Sequence, residues 1–158
     1  MMVAMDGTAG LDELTRELQA ILRGEGLHAT LQFLNARTRF RFTGLYRIDA
    51  PTLHNLCLFD RENPEIVLSG AVPLRETYCS IVGDQGVDFA TDDAGADPRL
   101  ADHPARGSVI AYCGTPVVVG GRCIGSLCHF DSRPRLVPVE ELPLLTRAAA
   151  VIAATMSE

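Results

Sequence analysis

The stretch that decides the fold is SVIAYCGTPVVVGGRCIGSLCHFDSRPR, residues Ser108–Arg135. Two of its runs, Tyr112–Val119 and Arg122–Phe130, are rich in apolar and β-branched residues, which favour strands. The pair Gly120-Gly121 separates them and supplies the positive φ angles that a tight hairpin turn requires. The stretch therefore predicts an antiparallel β-hairpin.

The register of this hairpin can be counted back from its turn. Val119 then faces Arg122, and further along Cys113 faces Cys128. We expect both cysteines to remain thiols, because a hydrogen-bonded antiparallel pair holds its side chains too far apart for a relaxed disulfide. The second strand has small and apolar residues on both faces, so both faces of the sheet should be covered. One predicted face carries Ile124, Ser126, Cys128 and Phe130, and the other carries Cys123, Gly125, Leu127 and His129.

The composition is that of one globular domain. The chain has 158 residues, of which 47% are hydrophobic and 22% charged, enough for a substantial core. A net charge of −6 argues against a general nucleic-acid binder, which gains affinity from a basic surface. All 14 basic residues are arginine. This excludes mechanisms that need a lysine, such as a Schiff base or a Walker-type phosphate loop.

The ends of the chain and its cysteines indicate a reduced, cytoplasmic protein. Met1–Gly10 has neither the basic nor the apolar region of a secretory signal, and we expect it to be a disordered tail. The longest apolar run, Ala148–Ala154, is too short to span a membrane. Five cysteines, an odd number, fit free thiols. We therefore predict a single domain over 11–158, with no nucleic-acid or membrane partner.

Three helices are predicted from apolar residues that recur every three or four positions. Gly24 and Gly26 end the first helix, and Pro143 lies in the first turn of the last one, where a missing N–H is harmless. The three apolar stripes are Leu11, Leu14, Leu18 and Ile21, then Leu27, Leu31 and Leu34, and finally Leu142, Leu145, Ala149, Ile152 and Met156.

The middle of the chain alternates in the manner of strands joined by short turns. Phe40, Phe42 and Tyr46 are predicted to share one face of the first strand. Together with the hairpin and the helices, these elements predict an α+β domain with an antiparallel sheet of about six strands and helices on both faces. The predicted middle elements are strands Arg39–Ile48, Thr52–Asp60 and Ile66–Ser69, a short helix Arg75–Val82 closed by Gly83, a strand Val87–Thr91, and a loop Asp92–Gly107 of the length expected for a lid or binding segment.

Four ordered motifs are familiar: ETYCSIV (Glu76–Val82), DPRLADHP (Asp97–Pro104), AYCGTPV (Ala111–Val117) and GRCIGSLCHFDSRPR (Gly121–Arg135). With them the chain resembles the GAF family, the small-molecule-sensing domains of signalling proteins, from about Leu11 to Met156. The resemblance implies a sheet with the terminal helices on one face, where relatives often form a dimer bundle. It implies a pocket on the other face, under the short helix and the long loop.

The resemblance favours a non-enzymatic regulatory domain that binds an unknown small molecule beneath segment 75–107. No kinase, cyclase or DNA-binding segment follows Met156, so we expect a free-standing sensor, a homodimer through its terminal helices, whose signalling output would lie in a separate protein. In the long loop, Arg106 could meet an anionic ligand. The candidate ligand-binding residues are Tyr46, Cys79, Asp92, Arg106, Tyr112 and Cys128.

Two other functions remain open. Some GAF relatives are free methionine-(R)-sulfoxide reductases, and Cys79, Cys113 and Cys123 could form a similar thiol site, as a redox enzyme or a redox sensor. Cys79 is placed in the second turn of its short helix, too late for a strong dipole effect on its pKa. Alternatively, the domain could bind no ligand and serve only dimerisation. In that case Leu145→Glu or Ile152→Glu should dissociate the dimer.

No metal site, catalytic residue or identified cofactor emerges from the sequence. The acidic run between Asp84 and Asp102 lacks the ligand spacing of a calcium loop, and no zinc-type Cys or His spacing occurs. Relatives that bind cyclic nucleotides carry a motif that includes lysine, which is absent here. The dipeptide Cys128-His129 matches the one to which bilins attach, but it lies on the hairpin strand. We expect His129 to be a buried structural histidine.

Overall fold

The computed structural model describes residues 7–156 and has the predicted α+β fold, a six-stranded antiparallel sheet with four α-helices. The order of strands in the sheet is β3-β2-β1-β6-β5-β4. The helices are α1 (Gly7–Glu25), α2 (Leu27–Asn35), α3 (Cys79–Gln85) and α4 (Glu141–Ala153), and the strands are β1 (Phe42–Asp49), β2 (Thr52–Asp60), β3 (Val72–Pro73), β4 (Phe89–Thr91), β5 (Ala111–Val119) and β6 (Arg122–Asp131).

The first helix begins earlier than its apolar stripe suggests. It starts at Gly7 rather than near Leu11, since the small residues before Leu11 continue the helical turn. Of the tail predicted over 1–10, residues 1–6 lie outside the described residues.

Each face of the sheet is covered by its own apolar core. On one face, α1, α2 and α4 bury their stripes, and residues such as Leu18, Leu31 and Leu145 are fully buried. On the other face, α3 and the long loop cover a second core that includes Leu53 and Val82. The loop itself folds into three short 3₁₀ turns, Ala94–Ala96, Pro98–Leu100 and Pro104–Gly107. Buried side chains from each turn hold it against the sheet.

The hairpin turn lies at the predicted residues, but the predicted pairing of the two strands holds only next to the turn. Gly120 and Gly121 adopt φ of 58° and 80°, and Val119 pairs with Arg122. A bulge beside Val117 then shifts the register by one residue. Past the bulge Cys113 pairs with His129, and Gly114 pairs with Cys128, so the predicted pairing of the two cysteines is wrong.

The slip also places the two cysteines on opposite faces, because side chains alternate along a strand. Cys113 belongs to the core under the helices, and Cys128 belongs to the core under α3. Ile124, at the bulge, packs on the helix side, away from the face on which it was predicted.

Three further elements differ from the prediction. The third strand lies at Val72–Pro73 rather than Ile66–Ser69, because two turns follow β2 and the irregular segment after them meets β2 through isolated hydrogen bonds, from Leu58 N to Val67 O and from Ser69 N to Asn55 Oδ1. The short helix runs beyond Gly83 and ends at Gly86, which has φ of 63°. Phe40 precedes β1 and packs under the helices, so it does not share a face with Phe42 and Tyr46.

A buried polar chain joins the helices to the sheet. His129 Nε2 lies 2.6 Å from Glu141 Oε2 on α4, and its Nδ1 lies 2.7 Å from the Thr43 hydroxyl. Asn35 on α2 donates to the same hydroxyl at 2.9 Å. Each member is buried, so α2, β1, β6 and α4 are tied together by groups that would be costly to leave unpaired. His129 is thus a structural histidine.

The stripe of α4 faces its own sheet. Leu145 and Ile152 are 0% and 1% exposed, so glutamate at either position would disrupt the core of the chain itself. Those substitutions therefore do not test a dimer. Dimerisation through the terminal helices stays a prediction.

Candidate functional site

The candidate site is a cavity of about 200 Å³ between the sheet and α3. Strands β1, β2, β5 and β6 form its floor, while the segment before α3 and the start of α3 form its roof. A wider and more open groove of about 630 Å³ lies next to it along β3 and shares Val72. The cavity is lined by Tyr46, Leu53, Val72, Glu76, Thr77, Tyr78, Cys79, Val109, Tyr112, Cys128 and Phe130.

Four of the six residues named from the sequence lie together in this cavity. They are Tyr46, Cys79, Tyr112 and Cys128, drawn from β1, α3, β5 and β6. The other two, Asp92 and Arg106, are not among its lining residues.

Asp92 and Arg106 instead hold loops in place. The carboxylate of Asp92 accepts a hydrogen bond from Val137 N at 2.9 Å, and its carbonyl accepts one from Arg135 N at 3.1 Å. Asp92 thus fastens the segment after β6. The exposed guanidinium of Arg106 donates to Gly95 O at 2.9 Å and links two of the 3₁₀ turns. Both side chains are directed by turns that the sequence pattern did not reveal.

The tyrosine rings occupy space that neighbouring glycines leave free. A Cβ built on Gly44 would lie 2.6 Å from the ring of Tyr46, and a Cβ on Gly114 would collide with the ring of Tyr112. Each glycine is two residues from its tyrosine, so it shares the same face of the strand. The patterns Gly-x-Tyr on β1 and Tyr-x-Gly on β5 therefore let both rings lie flat against the sheet floor.

Tyr78 and Phe130 are site residues that the sequence-based set missed. Tyr78 donates its hydroxyl to Val109 O at 2.8 Å, and its ring meets Tyr112 edge-on with centroids 5.5 Å apart. The ring of Phe130 lies 6.3 Å from that of Tyr46. The sequence could have indicated both as site residues, because it predicts Tyr78 on the inner face of its helix and Phe130 on the same strand face as Cys128.

Two thiols meet in the cavity wall. Cys79 is the first residue of α3, one turn earlier than predicted. Its sulfur receives a hydrogen bond from the Ser126 hydroxyl at 2.9 Å and lies 3.5 Å from the Tyr112 hydroxyl. Cys128 lies two residues after Ser126 on the same face of β6. The Cys128 sulfur lies 3.8 Å from Gly44 O, to which it donates.

The sequence profile of the GAF domain matches residues 10–156 of the chain. The chain belongs to the GAF domain family. No curated protein sequence matches it.

Solved structures with the same fold include free methionine-R-sulfoxide reductases and GAF domains of other proteins. A free methionine-R-sulfoxide reductase from Neisseria meningitidis, in complex with its substrate, has a TM-score of 0.71 at 19% identity, covering 98% of this chain and 92% of that one. The GAF domain of an Acinetobacter phosphoenolpyruvate-protein phosphotransferase has a TM-score of 0.71 at 20% identity, with coverages of 94% and 93%. A type II free methionine-R-sulfoxide reductase from Thermoplasma acidophilum has a TM-score of 0.61 at 17% identity, covering 89% of this chain and 93% of that one. At such low identities these likenesses show the GAF fold alone.

Hydrogen bonds make the pKa of Cys79 differ from those of the other buried ionisable groups in the GAF-domain cavity. Burial raises the pKa values of Tyr46 and Tyr112 well above the usual range, so both are neutral hydroxyl groups at pH 7. Burial likewise raises the pKa of Cys128. In contrast, hydrogen bonds from Cys128, then from Ser126, Tyr112 and Thr77, outweigh burial and lower the pKa of Cys79 to about 7. Cys79 is therefore the thiol best able to ionise.

The remaining cysteines considered for a thiol site do not join it. Cys113 lies on the helix side of the sheet, where burial raises its pKa. Cys123 is half-buried beside the bulge, and its thiol donates to Gly125 O at 3.4 Å. The set Cys79, Cys113 and Cys123 is thus not brought together by this fold.

Within residues 7–156, no three His, Cys, Asp or Glu side chains cluster closely enough to hold a metal ion. None of the helices described here combines the length and the apolarity needed to cross a bilayer.

Proposed function

We propose that this GAF domain is a non-enzymatic, cytoplasmic sensor that binds one small molecule in the cavity beneath α3. The observation that carries the proposal is the cavity itself, which brings four aromatic rings and two thiols from distant parts of the chain around one space. A cavity of about 200 Å³ is smaller than the roughly 300–1,000 Å³ typical of drug-sized ligands. The expected ligand is therefore about the size of a single aromatic ring.

The lining favours an uncharged ligand. Its walls are mostly apolar and aromatic, with hydroxyl groups of Tyr46 and Thr77 as polar points. Glu76, exposed at the mouth, is the single charged residue among the described lining residues. An anion would find no cationic partner there and would lose its hydration, which makes binding unfavourable. Arg106, considered for an anion from the sequence, is expected to have no effect on binding.

Signalling would depend on a change in the position of α3 and the segment before it, which form the roof of the cavity. Because Tyr78 lines the cavity and its ring also lies 4.7 Å from that of His103 in the long loop, a ligand that fits one arrangement of α3 better than another shifts the population toward it. A separate output protein, or a second copy of the chain bound through the terminal helices, would read that shift.

The experiment combines native mass spectrometry with a cavity-filling variant. Freshly purified wild-type protein is expected to carry a small molecule that leaves on denaturation, and Val109→Trp, which fills the cavity, should carry none. Val118→Trp, at an exposed position, and Arg106→Ala should retain it. If wild-type protein is purified bare, phenol serves as a probe and should raise the melting temperature of wild type but not of Val109→Trp. Equal binding by wild type and Val109→Trp would contradict the proposal.

A reductase acting on free methionine sulfoxide is not the function we propose. Free methionine-R-sulfoxide reductases are among the solved structures that share the fold. The cysteines considered for it here, however, lie on different faces of the sheet, so no observation of this chain favours the activity.

A further inference from the structure

Cys79 and Cys128 form a pair of thiols that the proposed ligand binding does not use. They come from α3 and from the middle of β6, more than forty residues apart, and they face the same cavity. The sulfur of Cys79 receives a hydrogen bond from Ser126, which lies two residues before Cys128 on the same face of β6, and neither cysteine is joined in a disulfide. Both thiols therefore lie where the start of α3 meets β6.

The surroundings of this pair differ for its two members. The sulfur of Cys79 receives the Ser126 hydroxyl at 2.9 Å and lies 3.5 Å from the Tyr112 hydroxyl. Hydroxyl donors stabilise a thiolate, which is the nucleophilic form of cysteine. Cys128 has one acceptor, Gly44 O at 3.8 Å, which favours the protonated thiol. One thiol is thus arranged as the attacking group and the other as its partner.

Both thiols are reachable only through the cavity. They are 3% and 1% exposed as residues, yet both line the 200 Å³ space that opens beside Glu76. Hydrogen peroxide is much smaller than this cavity, so it can occupy the space beside both thiols.

We infer that Cys79 and Cys128 are a reversible oxidation site for hydrogen peroxide. The Cys79 thiolate attacks one peroxide oxygen, the O–O bond breaks, and a sulfenic acid forms on Cys79. The departing hydroxide takes up the proton that Cys79 released on ionising and becomes water. The Cys128 sulfur then attacks the Cys79 sulfur, the S–O bond breaks, and the Cys128 proton leaves with the hydroxide as a second water. Two thiols are oxidised to one disulfide while one peroxide is reduced to two waters.

The disulfide would change the roof of the cavity. It replaces the hydrogen bonds to Cys79 with a covalent link and ties the first residue of α3 to the sheet. A dithiol reductant such as dithiothreitol reverses it by exchange. This inference does not rest on ligand binding, because the reacting atoms all belong to the chain and the peroxide.

The test is peptide mapping of the full chain after brief exposure to a small excess of hydrogen peroxide, with free thiols then blocked under denaturing conditions. Wild-type protein is expected to lose two hydrogen atoms in mass and to yield a Cys79–Cys128 linked peptide, which dithiothreitol removes. Cys113→Ser, a control on the other face of the sheet, should give the same link. Cys128→Ser should instead stop at a Cys79 sulfenic acid that dimedone traps.

Each contrary outcome overturns the inference. Five free thiols in oxidised wild-type protein would do so, as would a link between Cys79 and any cysteine other than Cys128. Dimedone labelling of Cys128 in Cys79→Ser at the rate seen for Cys79 in Cys128→Ser would show that the two thiols are not differentiated. Circular dichroism of each variant before oxidation establishes that it is folded.

Discussion

At the scale of single residues, the Tyr112 hydroxyl contacts the one cavity thiol whose pKa is lowered. Replacing Tyr112 with phenylalanine removes a donor to the Cys79 thiolate, so the pKa of Cys79 should rise from its value of about 7. Alkylation by iodoacetamide follows the thiolate fraction and increases as pH rises through the pKa. We expect the midpoint of the Cys79 labelling rate to move to higher pH in Tyr112→Phe, with labelling several-fold slower at pH 7.

Tyr78→Phe is the matched control for this prediction. Its hydroxyl donates to Val109 O rather than to a thiol, so the Cys79 midpoint should stay where it is in wild type. An unchanged midpoint in Tyr112→Phe, or an equal shift in both variants, would show that the Tyr112 hydroxyl does not stabilise the thiolate.

A second residue-scale prediction concerns Gly125, where β6 passes close to β1. A Cβ at this position would collide with the backbone carbonyl of Tyr46, which cannot move without disturbing the strand pair. Gly125→Ala should lower the free energy of unfolding by about 3 kcal/mol. Gly24→Ala is the control, because nothing lies within 4 Å of its Cβ and alanine favours a helix. Urea unfolding measures both, and equal stability of the two variants would contradict the argument.

The candidate site was predictable in part at this scale. Tyr46, Cys79, Tyr112 and Cys128 were chosen from strand alternation and from resemblance, and they share one cavity. Asp92 and Arg106 were chosen by their position in the long loop predicted to cover the pocket. Where such side chains point depends on turns held by tertiary contacts, and residue type alone does not reveal that.

At the scale of elements, the contact between α4 and the sheet depends on one buried pair. Glu141 is 3% exposed and His129 is 0% exposed, and their side chains lie 2.6 Å apart. Glu141→Ala leaves His129 Nε2 without its partner, and breaking a buried pair of this kind costs about 3–5 kcal/mol. Glu140→Ala, at the neighbouring exposed position, should change stability by less than about 0.5 kcal/mol.

Thermal and urea unfolding of the two glutamate variants check this prediction. The double variant His129→Leu with Glu141→Leu adds a further test, because it removes both members of the pair and leaves the Thr43 hydroxyl with Asn35 as its partner, so it should recover part of the loss. A Glu141→Ala protein as stable as Glu140→Ala would mean that the pair contributes nothing to the docking of α4.

Turns and helices could be predicted where adjacent residues determine them, whereas features that depend on tertiary packing could not. The Gly-Gly turn and the helix stripes are properties of adjacent residues, and both were found as expected. The bulge beside Val117 has no such signature in adjacent residues, and its extra residue, Ile124, lies just beyond Gly125, where the pairing of β6 with β1 ends. That one residue moved Cys113 away from Cys128 and removed the predicted cross-strand pair.

At the scale of the whole molecule, the order of helices and strands predicted the α+β class, and the resemblance of four sequence motifs indicated the GAF family before any contact was known. The size and chemistry of the cavity did not follow from that order. They depend on how closely α3 approaches the sheet, which is fixed by side chains from several elements, such as the tyrosines lying over Gly44 and Gly114. The fold class can therefore be predicted from the sequence pattern, whereas the size of the cavity can be known only from the three-dimensional structure.

Resistance to acid is a property of the whole molecule that two carboxylates should dominate. Asp60 accepts two hydrogen bonds from Arg41, at 2.9 and 3.1 Å, where β1 and β2 meet. Asp97 is paired with Arg99 at 2.6 Å in the long loop. In each case the arginine, as the largest effect, lowers the pKa of the carboxyl below its usual value. The unfolded chain therefore binds more protons than the folded chain as pH falls.

The sign of the pH dependence follows from those lowered pKa values. Their stabilisation is complete at pH 7, begins to decline near the unfolded pKa of about 4, and is lost as pH falls through the folded values. Asp60→Asn should be less stable than wild type by about 1–2 kcal/mol at pH 7, with a difference that narrows below pH 4.

Asp97→Asn should show the same pH dependence with a smaller loss of stability, because Arg99 is 57% exposed and water screens its charge. Asp102→Asn, at an exposed position, is the control and should track wild type throughout. Urea unfolding between pH 3 and pH 7 measures these differences, and a gap between Asp60→Asn and wild type that stays constant with pH would show that the ionisation of Asp60 does not stabilise the fold.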